Sequence, residues 1–233
     1  SMMKNQIEFK VYGRRALFSD PLTRVGGEKC SYQIPTYEAL KGITQAIYWK
    51  PTLIWVIDDV RVMKQIRMDP QNIKLRQYHK DIAGLSVFTY LTDVEYQVRA
   101  HFEWNMERKD LEGDRVEGKH YQIACRMLER GGRRDVCLGS RECQAYVEPC
   151  CFGEGDGFYD DQGLLTFGLM YHGFNYPSET GDPEMSIRFW KPEMNNGIIH
   201  FLRPSECTIL KQVRKTSAIH PPTLGIDDES LFD

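Results

Sequence analysis

The sequence predicts an α+β protein, with a β-α-β-β-α-β domain over residues 1–148 and a small antiparallel β-sheet domain over 149–233. Three observations predict it. From Val94 to Trp104 apolar residues alternate strictly with polar ones, as in a half-buried strand. Two segments repeat apolar residues at three- and four-residue steps and are closed by proline or glycine, as helices are. Beyond Pro149 the texture changes to glycine-rich turns between short apolar runs. With 233 residues, 41% of them hydrophobic, the chain can bury a substantial core.

The first strand is Ile7 to Tyr12, alternating apolar and polar residues. A basic, glycine-containing loop follows it. After Pro35 a helix carries Leu40, Ile43, Thr44 and Ile47 on one side and ends before Pro51, with Tyr48 in its last turn. Leu53 to Ile57, continuing through Val60 and Val62, is the second strand, and Val94 to Trp104 is the third. The polar stretch from Glu112 to Gly118 precedes Lys119 and His120, which open a helix with Ile123, Ala124, Met127 and Leu128 inward, stopping at Gly131-Gly132. A strand within Asp135 to Val147 completes the ferredoxin-like, RRM-like order. The second domain has short strands within Gly163–Tyr171, Met185–Trp190 and Gly197–Leu202, and a mobile tail beyond Pro222.

Topology then brings distant residues together. Each crossover in such a sheet joins parallel strands, so the two helices run antiparallel on one face. The end of the first helix lies beside the start of the second, which puts Tyr48 next to Lys119 and His120.

Composition excludes several classes. No apolar run approaches the roughly 20 residues of a membrane span, so no membrane association is expected. The cysteines, 7 in all and without a Cys-x-x-Cys pair, read as reduced thiols of a cytoplasmic protein. Cys143, Cys150, Cys151 and His172 fit no common zinc spacing. The net charge is only −3, but its distribution is uneven. Lys4, Lys10, Arg14, Arg15, Arg24 and Lys29 outnumber the acids of residues 1–32, and Arg115, Lys119, Arg126, Arg130, Arg133, Arg134 and Arg141 outnumber those of 115–141. Two basic segments in an otherwise acidic chain suggest a local track for a polyanion.

Tyrosine, lysine and histidine without paired carboxylates make a poor cage for a hard cation, and suit metal-free cleavage of RNA. One group takes the proton of a ribose 2′-hydroxyl and a second protonates the leaving 5′-oxygen, while a fixed cation stabilises the transition state. His120 suits proton transfer and Lys119 charge stabilisation; Tyr48 shares the proton transfer or orients the 2′-hydroxyl. Asp58-Asp59 after an apolar strand would suit a metal-dependent nuclease, but neighbouring strand residues point to opposite faces. His101, on the polar side of the third strand, is expected at the surface.

The blocks VYGRRALFSDPLTRVGGEKCSYQIPTYEALKGITQAIYWKPT, YLTDVEYQVRAHFEWN, EGKHYQIACRMLERGGRRDVCLGSREC and MYHGFNYP resemble the pre-crRNA-processing endoribonucleases of subtype I-C CRISPR systems, the Dvulg-subtype branch of the fifth Cas protein family. The resemblance spans nearly the whole chain. It implies metal-independent cleavage at the 3′ base of the CRISPR repeat hairpin, leaving a 2′,3′-cyclic phosphate, with Tyr48, Lys119 and His120 catalytic and no cofactor. It implies that the product's 5′ handle stays bound, with the backbone and large subunits of the type I-C surveillance complex as partners and double-stranded DNA as a further one. Other branches of the family are non-catalytic scaffolds, which is the alternative reading. Arg14, Arg15, Arg24, Gly26, Gly27 and Lys29 would then hold RNA phosphates in a loop where glycine allows close backbone approach, and Arg126, Arg130, Arg133 and Arg134 would grip the repeat hairpin. The third strand has no RNP-type aromatic run, which argues against base stacking on the sheet.

Overall fold

The computed structural model describes residues 3–22, 28–75 and 84–213. Ile7, Phe9 and Val11 enter the core from β1 (Gln6–Ala16), and the intervening residues face away, as a period of two dictates. A two-residue strand, β2 (Lys29–Cys30), precedes α1 (Tyr37–Ile47). Thr36 caps this helix, its hydroxyl oxygen accepting from the Ala39 N–H at 3.1 Å. Helix α1 buries Leu40, Ile43, Thr44 and Ile47 as predicted. It stops one residue early: Tyr48 is the extended C-cap, its N–H still bonded to the Thr44 carbonyl at 3.2 Å.

Strand β3 (Leu53–Val62) follows, then a hairpin that the sequence did not announce, β4 (Met68–Leu75) with β5 (Gly84–Trp104). β5 therefore begins ten residues before the alternation becomes regular at Val94. A 3₁₀ turn, Lys109–Asp114, leads to α2 (Lys119–Glu129). The strand expected within 135–147 is a hairpin, β6 (Val136–Cys137) and β7 (Gln144–Pro149), and at its turn Gly139 has φ +88° and lies so close to Leu17 that a Cβ would stand 2.0 Å from the Leu17 carbonyl oxygen.

These elements provide the predicted β-α-β-β-α-β succession, paired antiparallel in the order β7-β1-β5-β3. The end of α1 touches α2 at two places: the Tyr48 side chain reaches His120 in its first turn, and the Ala46 carbonyl accepts from Arg133 and Arg134 just past its last. The other face of β5 is covered. Gln97 and Arg61 bind the Glu154 carbonyl at 2.7 and 2.8 Å, and the Gly153 N–H donates to Gln97. Gln97 is consequently buried.

The rest of the chain contributes β8 (Leu164–Thr166), β9 (Met170–Asn175), α3 (Pro177–Thr180), β10 (Ser186–Trp190), β11 (Glu193–Asn195), β12 (Ile198–His200) and β13 (Ile209–Gln212). The expected boundary at 148/149 is crossed by pairing: β12 binds β3, and β11 and β8 extend the main sheet beyond it. Among the described residues, only β13-β10-β9 form a sheet of their own. Met170, Trp190, Met194, Ile199 and Phe201 also join the N-terminal core, so residues 149–213 complete that core as well as forming the small sheet.

The MYHGFNYP block explains itself here. His172 is fully buried, stacked on Tyr37 with ring centroids 4.2 Å apart, donating from Nε2 to the Leu202 carbonyl and accepting at Nδ1 from Arg188. Burial holds its imidazole neutral, pushed down to about 3. A Cβ on Gly173 would stand 2.3 Å from the Arg188 guanidinium, so only glycine lets that cation reach Glu38 on α1. The tail beyond Pro222 lies outside the described residues.

Candidate active site

Tyr48 and His120 meet where α1 ends and α2 begins. The tyrosine hydroxyl and His120 Nδ1 are 2.8 Å apart. On the other side of the ring, Nε2 lies 2.8 Å from the backbone carbonyl of Asp114 and 3.4 Å from its carboxylate. A carbonyl can only accept, so Nε2 carries the proton and the Nδ1 lone pair accepts from Tyr48. Burial pushes the Tyr48 hydroxyl above its ordinary value, the Asp114 charge adds to the rise and Arg133 opposes it. The hydroxyl is therefore protonated near neutrality and available as the donor.

Lys119 completes the group from the first turn of α2, its ammonium 2.6 Å from Asp114 Oδ1. Asp114 also accepts from the Thr52 hydroxyl at 2.6 Å. The Lys119 hydrogen bond, seconded by Thr52, holds the Asp114 carboxyl below its ordinary value. Behind the site the Trp55 indole donates to the Tyr48 carbonyl at 2.8 Å, and Phe102 and Trp104 set their rings edge-on to His120.

His120 is fully buried, and Tyr48 is 1% exposed. The reason is periodicity: His120, Ala124 and Leu128 occupy i, i+4 and i+8 and form the buried row of α2. Of Tyr48, Lys119 and His120, Lys119 alone is exposed, one step round the helix from His120.

The basic residues divide between two places. Arg126 and Arg130 are exposed along α2, and Arg133 and Arg134 follow it, their backbone N–H groups capping the Ala46 carbonyl at 3.1 and 3.0 Å beside Tyr48. Arg14 and Arg15 are exposed at the opposite end of β1, where Arg15 pairs with Thr92 and lies over the Tyr90 ring. Lys29 sits over Phe88 at the rim of a recess of about 440 Å³ that also includes Asp20, Tyr32 and Thr89. The structure does not bring this end of the sheet to Tyr48. Arg24, Gly26 and Gly27 lie outside the described residues.

One correction concerns Asp58 and Asp59. A bulge between Ile57 and Asp59 breaks the alternation, so both carboxylates meet the same polar face of β5. Asp58 binds His101 at 2.7 Å, and Asp59 binds Arg99 at 3.1 Å as well as His200. His101 is half-buried in these contacts rather than free on the surface; Asp58, foremost, and Glu103 raise its basicity. Sequence reasoning also missed Asp114 and Thr52. Their spacing gives no hint, since only the folded turn carries Asp114 back to His120.

A hydrogen-bonded tyrosine and histidine, a lysine close by and exposed arginines around them form an arrangement chemically able to move a proton beside a polyanion. A family model described as CRISPR-associated protein (Cas_Cas5), of the Cas5d type, matches residues 6–202. The chain belongs to this Cas5d family. Similar proteins include the CRISPR pre-crRNA endoribonucleases Cas5d of Mannheimia succiniciproducens, 26% identical over 84% of this chain and 95% of that one, and of Thermus thermophilus, 29% identical over 78% and 79%. Among solved structures, a CRISPR-associated protein matches with a TM-score of 0.77 and 36% identity, covering 91% of this chain and 100% of the other. A functionally uncharacterized protein from Streptococcus mutans matches at 0.74 and 37%, covering 90% and 98%.

Proposed function

We propose that this protein is a metal-independent endoribonuclease that recognises a CRISPR repeat by sequence and structure, cuts at the 3′ base of its hairpin and keeps the crRNA 5′ handle as a subunit of the type I-C surveillance complex. The observation that carries the reading is the Tyr48–His120 hydrogen bond, with Lys119 tied to Asp114, whose carbonyl holds the other side of the same imidazole: three residues suited to transesterification and gathered by folding. Relatives named pre-crRNA endoribonucleases support the substrate.

In this reading the 2′-hydroxyl passes its proton to the Tyr48 oxygen as Tyr48 passes its own to His120 Nδ1. The 2′-oxygen bonds to phosphorus and the P–O5′ bond breaks, leaving a 2′,3′-cyclic phosphate and a 5′-hydroxyl. The Lys119 ammonium neutralises the charge gathering on the phosphorane and supplies the proton taken by the 5′-oxygen. Arg126, Arg130 and Arg133 extend the positive surface from Lys119 along α2, and the Arg14, Arg15 and Lys29 end offers a second anchor for RNA phosphates. Because Tyr48 and His120 are buried in the free protein, RNA has to part the side chains over the tyrosine hydroxyl before the proton can move.

That burial favours a second reading, a non-catalytic scaffold that binds the handle. Incubating the purified protein with its cognate repeat RNA in EDTA separates the two. Cutting under those conditions supports the nuclease; binding without cutting, even after divalent metal is restored, supports the scaffold.

A further inference from the structure

We propose that Asp114 is a positioning residue of this active site, holding His120 in the tautomer and orientation that accept a proton and balancing the imidazolium that results. The inference rests on the nuclease reading above and adds a residue to it.

The geometry that carries it is the number of site groups gathered by one residue. Asp114 ends the 3₁₀ turn, and its carboxylate is tied on two sides, at 2.6 Å to Thr52 before β3 and at 2.6 Å to Lys119 on α2. These ties fix the turn, and the turn aims the Asp114 carbonyl at Nε2 from 2.8 Å. Gly118, with φ +81°, turns the chain so that residues 114 and 120 can meet. Asp114 is not needed to cap α2: the N-cap is Gly118, without a side-chain bond.

The consequence is chemical. With Nε2–H committed to the carbonyl, the lone pair is confined to Nδ1, the nitrogen that faces Tyr48. When the proton arrives at Nδ1 the ring becomes a buried cation, and the Asp114 carboxylate 3.4 Å from Nε2 is the counter-charge already in place. Lys119 and Arg133 oppose that charge, Tyr48 is neutral, and the Phe102 and Trp104 rings carry none.

The test uses Asp114→Asn and Asp114→Ala in the full chain with cognate repeat RNA in EDTA, under single-turnover conditions at saturating protein, beside Lys119→Ala and His120→Ala. Asp114→Asn is isosteric and can still accept from Thr52, so it carries the test should the alanine variant fold poorly. The expected result is a saturated rate about 10- to 100-fold lower for the alanine variant, as for lost orienting partners elsewhere, with RNA affinity within about threefold of wild type. Asp114→Asn should move the acid limb of the pH–rate profile to lower pH, because the charge that favours imidazolium is gone; a merely structural residue would lower activity without moving the limb. Wild-type rate and an unmoved limb would overturn the proposal, and faster cutting or tighter binding would make Asp114 a plug competing with the phosphate. If Lys119→Ala and His120→Ala also cut normally, the nuclease reading itself fails; if they are inactive while the Asp114 variants cut normally, only the positioning role fails.

Discussion

The Tyr48 hydroxyl and His120 Nδ1 lie 2.8 Å apart although 72 positions separate them in the chain. The contact exists because the Tyr48 ring extends from the C-cap of α1 to His120, which falls on the inward row of α2. In the proposed mechanism the pair is a proton relay whose outer group is the tyrosine.

Removing parts of that relay should stop chemistry more than binding. Tyr48→Phe and His120→Ala are each expected to lower single-turnover cleavage by about 10²- to 10⁴-fold, the usual worth of a positioned acid or base. Both side chains are buried, so RNA affinity from filter binding should move little for folded variants. Near-normal cutting by both would remove them from the mechanism.

The arginines should act through charge. Arg126→Ala, Arg130→Ala and Arg15→Ala are each expected to weaken RNA binding and to reduce the slope of log affinity against log salt by about one or less per contact. Titrations at several salt concentrations read this directly. An unchanged slope for all three would mean that these side chains are only solvated surface.

How much of this was legible in the sequence differs by residue. The alternation of 94–104, the helix stops at Pro51 and Gly131-Gly132 and the apolar rows of both helices are local patterns, and the succession of elements followed from them. The β4 hairpin was missed because its residues, such as Met68, Asp69, Pro70 and Gln71, lack alternation. Tyr48, Lys119 and His120 could be brought together by topology alone. The burial of His120 was also readable, since 120, 124 and 128 form one row. Asp114 was not readable, because a 3₁₀ turn and a left-handed glycine bring it to His120. The pairing of β12 with β3 is likewise long-range, so the change of composition at Pro149 marked a change of texture and not an end of the sheet.

The Asp58–His101 pair should show itself in the pH dependence of stability. His101 is more basic in the folded protein than unfolded, so its contribution is fully present below the unfolded value and fades as pH rises through the folded one. Asp58→Asn should therefore lower the melting temperature at pH 5.5 more than at pH 8.5, the difference corresponding to about 1 kcal/mol or less. An equal loss at both pH values would show that the pair is not charged.

Gly139 tests the packing of the β6–β7 turn on β1. Gly139→Ala imposes a left-handed strain of about 1–3 kcal/mol and adds a methyl carbon 2.0 Å from the Leu17 carbonyl oxygen, which backbone cannot yield cheaply. Urea unfolding should show a stability loss at the top of that range or beyond. A loss below about 0.5 kcal/mol, ordinary for a surface site, would contradict the described approach of the two segments.

The central claim is that the nucleophile comes from the RNA itself, activated by Tyr48 and His120 without metal. A repeat RNA with a single 2′-deoxy sugar immediately upstream of the cut keeps every phosphate and loses only that hydroxyl. In EDTA, at saturating protein, the account predicts near-normal binding of this RNA and no cleavage, while the all-ribose RNA is cut to a 2′,3′-cyclic phosphate. Efficient cleavage of the deoxy RNA would make water the nucleophile and contradict the account.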